Sequence, residues 1–385
     1  MNDKNQLINV AIIGGRDGFH VIEEIKAKAS GQYNVVCLAD NNDKLWGTTQ
    51  NGVSIISVDE AIEKHNAGVI DLFIIAVRKG YSRFCIIQQL HGKGVKNILL
   101  VKPAVLTYNL PIVFEKDNPI YKLHWLDLRE QNRPLIHHLE ANLADGCNLN
   151  CKGCLHFSNL YDRDDIPDWK ELIQTITEIS KRVDIFQFRV LGGEPLLNND
   201  LEGFLVQLRR VLPETDLAVI SNGILIPNMP RNLYKTMHKL HLGFNLTLYP
   251  PTLKKKEQIY GVLNEECVAY GSHEVKIDRF EKFIKLSPGS ERAYEKCEPR
   301  GILVVKGRRL YRCPIEAYIN KLYEKYDIRL KAPEGIDIYD DTLDWEKVVN
   351  DLYESPRPLC TYCAEESVFY DWSSGKPQLE DWVVE

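Results

Sequence analysis

Three cysteines crowd one short stretch, ANLADGCNLNCKGCLHFS, in the spacing Cys147-x3-Cys151-x2-Cys154. Thiolates this close together can converge on one soft metal centre. Iron–sulfur cubanes ordinarily take four cysteines, one per iron, and no fourth lies nearby. A cubane held by three thiolates keeps one iron open to another ligand, which turns an electron carrier into a catalyst. The alternative is a zinc knuckle that borrows His156 as its fourth ligand. A second set comes later: Cys297, Cys313 and the pair Cys360-Thr-Tyr-Cys363. Four thiols suffice for one closed cubane or one structural zinc, and ligand type alone does not separate the two. Of the ten cysteines, Cys37, Cys85 and Cys267 stand outside both groups.

Two polar motifs follow the first group, each at the end of a strand-like run. Gly192-Gly193-Glu194-Pro195 offers glycines that let backbone approach a ligand, and a carboxylate that can accept from an ammonium group. Alone it reads equally as a strand-to-helix turn with a solvated glutamate. Ser221-Asn222-Gly223 offers hydroxyl and amide groups suited to a ribose. With CNLNCKGC, these motifs resemble the radical S-adenosylmethionine (radical SAM) superfamily over about residues 139–290. The resemblance implies a [4Fe–4S] cluster on Cys147, Cys151 and Cys154 whose open iron chelates S-adenosylmethionine. It also implies cleavage to a 5′-deoxyadenosyl radical, hydrogen abstraction from a substrate C–H bond, and a flavodoxin- or ferredoxin-type electron donor. In one respect the chain departs from the pattern: many members carry an aromatic before the third cysteine, and here Gly153 stands there. Phe157 is the expected substitute for packing on the adenine.

The late cysteines resemble the SPASM and twitch extensions of that superfamily, the shorter twitch-like version fitting four thiols best. That resemblance implies a second, auxiliary [4Fe–4S] cluster on Cys297, Cys313, Cys360 and Cys363. The segment ILVVKGRRLYRC reads as a hairpin turning at Lys306-Gly307.

The elements that must hold these residues read as α/β. In residues 9–103, apolar runs at 9–15, 34–40, 54–57, 71–77 and 97–103 alternate with helix-like stretches. That alternation predicts a Rossmann-like parallel sheet. A second alternation from Leu139 predicts a partial (β/α)6 radical SAM barrel, followed by a small Cys-rich extension. The expected segments are 1–118 (Rossmann-like), 119–138 (connector), 139–290 (radical SAM) and 291–385 (auxiliary cluster). In the front domain Gly14 and Gly15 after the first strand, with Asp40 after the second, are candidate nucleotide-binding residues. The G-x-G-x-x-G fingerprint is incomplete, since Ile13 stands where its first glycine belongs. The domain is similar to small Rossmann-like domains of polysaccharide-biosynthesis proteins, which implies a nucleotide-activated sugar; the other reading is a docking or dimerisation surface.

A net charge of -6 and pI near 6.0 argue against a nucleic-acid binder driven by phosphate neutralisation. The first residues show no signal-peptide pattern and no apolar run suits a membrane span, so the cytoplasm is expected. The leading expectation is an enzyme that dehydrogenates or epimerises a sugar or nucleotide-sugar, with Cys267 as candidate hydrogen donor. The alternatives are modification of a peptide or protein, an iron–sulfur redox sensor, and a nicotinamide oxidoreductase run by the front domain.

Overall fold

Short runs of Val, Ile, Leu and Ala with few charges form strands buried on both faces, which is how parallel sheets under helices read. The computed structural model describes residues 7–273, 277–297 and 299–384, in two units, Met1–Asn132 and Arg133–Glu385. The outermost ends of the expected segments, residues 1–6 and 385, lie outside the described residues.

In the first unit the strands are β1 (Ile8–Ile13), β2 (Tyr33–Ala39), β3 (Thr49–Gln50), β4 (Val53–Ile56), β5 (Leu72–Ile75), β6 (Ile98–Val101) and β7 (Trp125–Asp127). They lie in the order β3-β4-β2-β1-β5-β6-β7, the inner five parallel and the two edges antiparallel. Strand order reverses between β1 and β5, the place where doubly wound sheets receive ligands. The glycine turn after β1 sits there, so close that a side chain on Gly14 would overlap the Ala76 carbonyl. Part of the stretch expected to be a connector becomes the edge strand β7. Its Trp125 is buried and donates from Nε1 to the Val113 carbonyl at 2.7 Å. A three-residue edge strand is too short to show a period in sequence.

The second unit opens with β8 (Leu135–Ile136) and β9 (Leu139–Ala144), then β10 (Asp184–Ile185), β11 (Gln187–Gly192), β12 (Asp216–Ser221), β13 (Gly243–Thr247) and β14 (Tyr270–His273). Helices Trp169–Ser180, Leu201–Val211, Arg231–Lys239 and Lys256–Glu265 connect the successive parallel strands. The first of these illustrates the local logic. Asp168 caps it by accepting from Lys170 N at 2.8 Å, and Leu172, Ile176 and Ile179 face inward at helical spacing.

The late segment adds β15 (Arg279–Ile284), β16 (Leu303–Lys306), β17 (Arg309–Tyr311), β18 (Ile336–Asp337) and β19 (Cys363–Asp371). The main sheet runs β14-β13-β12-β11-β9-β16-β17-β18. Strand β16 is parallel to β9, with Val304 opposite Glu140, so the hairpin is an integral continuation of the sheet. Lys306 pairs with Arg309, which puts the turn at Gly307-Arg308, one residue later than the sequence suggested. Over the sheet lies a core of Phe157, Phe283, Ile315, Tyr318, Leu322 and Trp382. Burying each such side chain contributes about 1.5–3 kcal/mol. This core welds the late segment onto the loop that carries the first three cysteines.

Candidate metal centre and cofactor site

Parallel βα units leave their chemistry at the carboxyl ends of the strands, and three such ends meet here. The cysteine loop leaves β9, Gly193 and Glu194 leave β11, and Ser221 and Asn222 close β12. The backbone locks them together: Gly193 N donates to Ala144 O at 2.8 Å and Glu194 N to Gly146 O at 3.0 Å. A Cβ on Gly193 would overlap the Gly146 carbonyl, so no larger residue allows this approach.

Glu194 is fully buried and is the hub of the site. Its carboxylate accepts from Ser221 Oγ at 2.7 Å, Asn222 N at 2.9 Å and Leu196 N at 3.1 Å. Burial pushes its pKa up to about 7, against the downward pull of those three donors. Asn222 reaches the cysteine loop, donating from Nδ2 to Asn148 Oδ1 at 2.7 Å, with Cys147 Sγ 4.0 Å away. The two polar motifs therefore brace each other and the loop. Ser221, expected to face a ribose, spends its hydroxyl proton on Glu194, while its oxygen accepts from Gly223 N at 2.9 Å. Pro195 is buried and opens the short 3-10 turn Pro195–Leu197.

Burial, with Glu194 and Cys154 close by, pushes the Cys147 thiol up to about 12. Burial and the thiols of Cys154 and Cys147 do the same to Cys151. Metal binding must displace those protons. The loop is closed by residues from the far end of the unit, none of which belongs to a recognisable local motif. Trp372 Nε1 donates to Cys151 Sγ at 3.2 Å, and Trp382 Nε1 to Cys154 O at 2.9 Å. Lys152 N donates to Ser373 O at 3.0 Å, and Gly375 N to Asn150 O at 3.1 Å. Gly153, the departure noted above, has φ +66, and a Cβ there would overlap the Tyr370 hydroxyl. The Tyr370 hydroxyl occupies that space from outside the loop, so the position itself has room only for hydrogen. Tyr249, after β13, stacks on Phe280 at 6.1 Å and lies 6.3 Å from Trp372, forming an aromatic wall beside the thiols.

Phe157 goes elsewhere. It is fully buried, with φ +53, packed on Trp382 at 5.7 Å and Phe283 at 6.4 Å, so its ring is committed to the core and has no face for an adenine. Cys267 is also outside the site. It is exposed and precedes β14, at the sheet end opposite the cysteine loop. Its carbonyl accepts from the His238 ring. In the front domain Asp40 Oδ2 accepts from Gly15 N at 2.7 Å, so the two residues read together in sequence are in contact.

The four late cysteines gather around a small cavity lined by Cys313, Cys360 and Cys363, with Cys297 close enough to perturb the others electrostatically. Burial pushes Cys297 up to about 11, with Cys360 adding to the rise and Arg312 opposing it. Among the described residues no three His, Cys, Asp or Glu side chains converge tightly enough to hold one bare metal ion.

The family described as the radical SAM superfamily matches residues 141–257, a span that includes all three motifs. Residues 141–257 are a radical SAM domain. The family described as the CoA binding domain matches residues 5–104. The GTP 3',8-cyclase of Thermodesulfovibrio yellowstonii is 31% identical over 102 residues, 26% of this chain and 31% of that protein. That of Alkaliphilus oremlandii is 26% identical over 173 residues, 40% of this chain and 52% of that protein. The chain thus spans between about a third and a half of these relatives. Among solved structures, anSMEcpe with bound AdoMet is 18% identical over 36% of this chain and 43% of that one, with a TM-score of 0.29. The UDP-D-quinovosamine 4-dehydrogenase of Vibrio fischeri is 19% identical over 25% of this chain and 79% of that one, with a TM-score of 0.23.

Membership of the radical SAM superfamily implies a [4Fe–4S] cluster with S-adenosylmethionine, and the residues fit both. The radical SAM domain presents three thiols on one loop, Cys151 buried and Cys147 and Cys154 half-buried, an indole N–H donating to Cys151, and a buried carboxylate alongside. One further set of groups lies on the same side of the sheet. Among the described residues Asn142 Oδ1 and His156 Nδ1 are buried and have no hydrogen-bond partner, and the Tyr318 hydroxyl is buried beside the Asn142 backbone. Tyr318 lies 5.4 Å from the His156 ring, and Lys306 Nζ sits 4.4 Å over the Tyr318 ring. Among the described residues no helix is long and apolar enough to cross a membrane.

Proposed function

We propose that this chain is a radical SAM enzyme acting on a sugar or nucleotide-sugar. Cys147, Cys151 and Cys154 would hold the cluster, which with S-adenosylmethionine would supply the radical chemistry for taking hydrogen from a substrate C–H bond. Glu194 fixes the strand ends of β11 and β12 so that the Gly192-Gly193 backbone lies against the cysteine loop. Tyr249, Phe280 and Trp372 keep water from the thiols. The observation that carries the substrate class is the trio Asn142, His156 and Tyr318, whose clustered buried polar groups would suit a ligand rich in hydroxyl groups. A nucleotide-binding role for the first unit, taken by itself, is supported by the glycine turn at Gly14 and Gly15 and by the match of residues 5–104 to a CoA binding domain. With Cys267 at the far sheet end, dehydrogenation is the favoured outcome over epimerisation. We assign the late cysteines to an auxiliary [4Fe–4S] cluster, the cytoplasm as the site of action, and a flavodoxin- or ferredoxin-type electron donor.

A second reading, a free purine nucleotide as substrate, is favoured by the name of the relatives, GTP 3',8-cyclase. Anaerobic reconstitution, dithionite and S-adenosylmethionine test both. Cysteine-dependent 5′-deoxyadenosine, raised severalfold by nucleotide-sugars, supports the first; a rise only with GTP supports the second. No 5′-deoxyadenosine and no S-adenosylmethionine binding by iron-loaded protein would overturn the enzyme reading.

A further inference from the structure

Arg312 is 3% exposed, yet among the described residues no carboxylate pairs with its guanidinium. Nη1 donates to the carbonyls of Leu352 at 2.5 Å and Ser355 at 2.6 Å, and the guanidinium plane lies 4.2 Å from the Tyr294 ring centre. Nη2 is buried with no partner. The nearby Glu316 carboxylate is taken by backbone: it accepts from Arg312 N at 2.9 Å and Glu334 N at 3.0 Å. A buried cation without an anion is expensive, and proteins rarely keep one. The cavity beside it is lined by Cys313, Cys360 and Cys363, and by a second arginine, Arg357, whose Nε is likewise buried and unpartnered. The Arg357 backbone N donates to Cys360 Sγ at 3.3 Å, and the charges of both arginines act on Cys360 across the cavity they line. Against these two guanidinium groups the pocket wall holds one carboxylate, Glu316, whose oxygens are already occupied by backbone amides.

The missing charge has a natural source. A cubane or a zinc ion with four thiolates is a dianion, and a guanidinium beside it is both its counter-ion and a hydrogen-bond donor to sulfur. We propose that Arg312 and Arg357 are the built-in counter-ions of a dianionic cluster on Cys297, Cys313, Cys360 and Cys363, and that they raise its reduction potential. The inference rests on the auxiliary-cluster reading above. Reduction adds an electron to a group already negative, so a fixed cation stabilises the reduced form more than the oxidised one. Both arginines act on the cluster from outside its ligand shell and are positioning residues.

The test uses the full chain carrying Cys147→Ala, Cys151→Ala and Cys154→Ala, reconstituted without oxygen, so that only the late site is observed. Iron and zinc are counted and the cluster is titrated by electron paramagnetic resonance. About four irons per chain are expected. Arg312→Met and Arg357→Met are each expected to lower the midpoint so that the reduced-to-oxidised ratio at fixed potential falls at least tenfold, ~59 mV for one electron. Arg357→Lys, which keeps the charge, is expected to stay close to the parent. Should Arg312→Met fail to fold, Arg357→Met carries the test, since that residue is only half-buried. Zinc or no metal at the four cysteines would overturn the cluster reading itself. A loaded cluster whose midpoint ignores both Met substitutions would overturn the counter-ion assignment alone.

Discussion

The two cysteine groups sit in the same unit and differ in the charges around them. The first takes three thiols from one loop and sets them beside a buried carboxylate, Glu194, which opposes thiolate formation at Cys147. The second draws four thiols from widely separated positions and sets them beside Arg312, which favours thiolate at Cys297 and Cys360, as well as beside Glu316, which opposes it at Cys313 and Cys360. A centre meant to stay closed can have its charge balanced by the protein. A centre with an open iron leaves part of that balance to its ligand, here a sulfonium. The difference between the groups is thus in what surrounds the sulfurs, more than in the sulfurs themselves.

The largest test of that comparison is removal. Cys151→Ala and Cys360→Ala are each expected to lose about four irons per chain, and only the first to abolish 5′-deoxyadenosine, as read by metal analysis and chromatography. If either substitution strips both sets of iron, the groups are not independent. The next effect concerns Glu194. Its folded pKa of about 7 lies above the ordinary 4.5, so the native apo-protein keeps a proton that the unfolded chain releases. Stability contributed by that proton is full below about pH 4.5 and is lost as pH rises towards 7, on the order of 3 kcal/mol in all. Denaturant unfolding of apo-protein across that window should show the fall, and Glu194→Gln should flatten it.

Smaller effects sharpen the first site. Gly153→Ala places a methyl group on the Tyr370 hydroxyl at a left-handed position and should cost about 1–3 kcal/mol. Adding Tyr370→Phe should restore part of it, and a double-mutant cycle measures the coupling. Smallest is Trp372→Phe, which keeps the ring beside Tyr249 and removes the N–H···S bond to Cys151. About 1 kcal/mol of apo-protein stability is expected to go, with a lowered potential of the first cluster alone.

Much of the site was legible because its parts are local. The cysteine spacing, GGEP and SNG each belong to a few consecutive residues at strand ends, and apolar runs located those strands to within a residue or two. What escaped is what depends on distant contacts. Glu194 looked like a free acceptor because nothing local reveals that Ser221 and Asn222 fold back onto it. Phe157 looked available for stacking because Trp382, which encloses it, lies far along the chain. Gly153 looked like a departure from pattern until Tyr370 was seen to fill the space. The second strand set misled for a similar reason: β16 reads as half of a separate hairpin, and only its parallel pairing with β9 makes it part of the main sheet.

That dependence has a consequence for how the molecule is made. The loop at Cys151 is finished by Trp372, 221 positions later, and Cys154 by Trp382, 228 positions later. During synthesis the cysteines emerge long before the residues that enclose them. A nascent chain paused between the two therefore displays three bare thiols on an uncovered loop, open to oxidation and to stray metals. Loading is either an early event on an exposed loop, or a late one that requires the segment after β19 to stand aside. In the second case delivery of iron and sulfide and docking of that segment compete for the same surface, and assembly is ordered in time as well as in space.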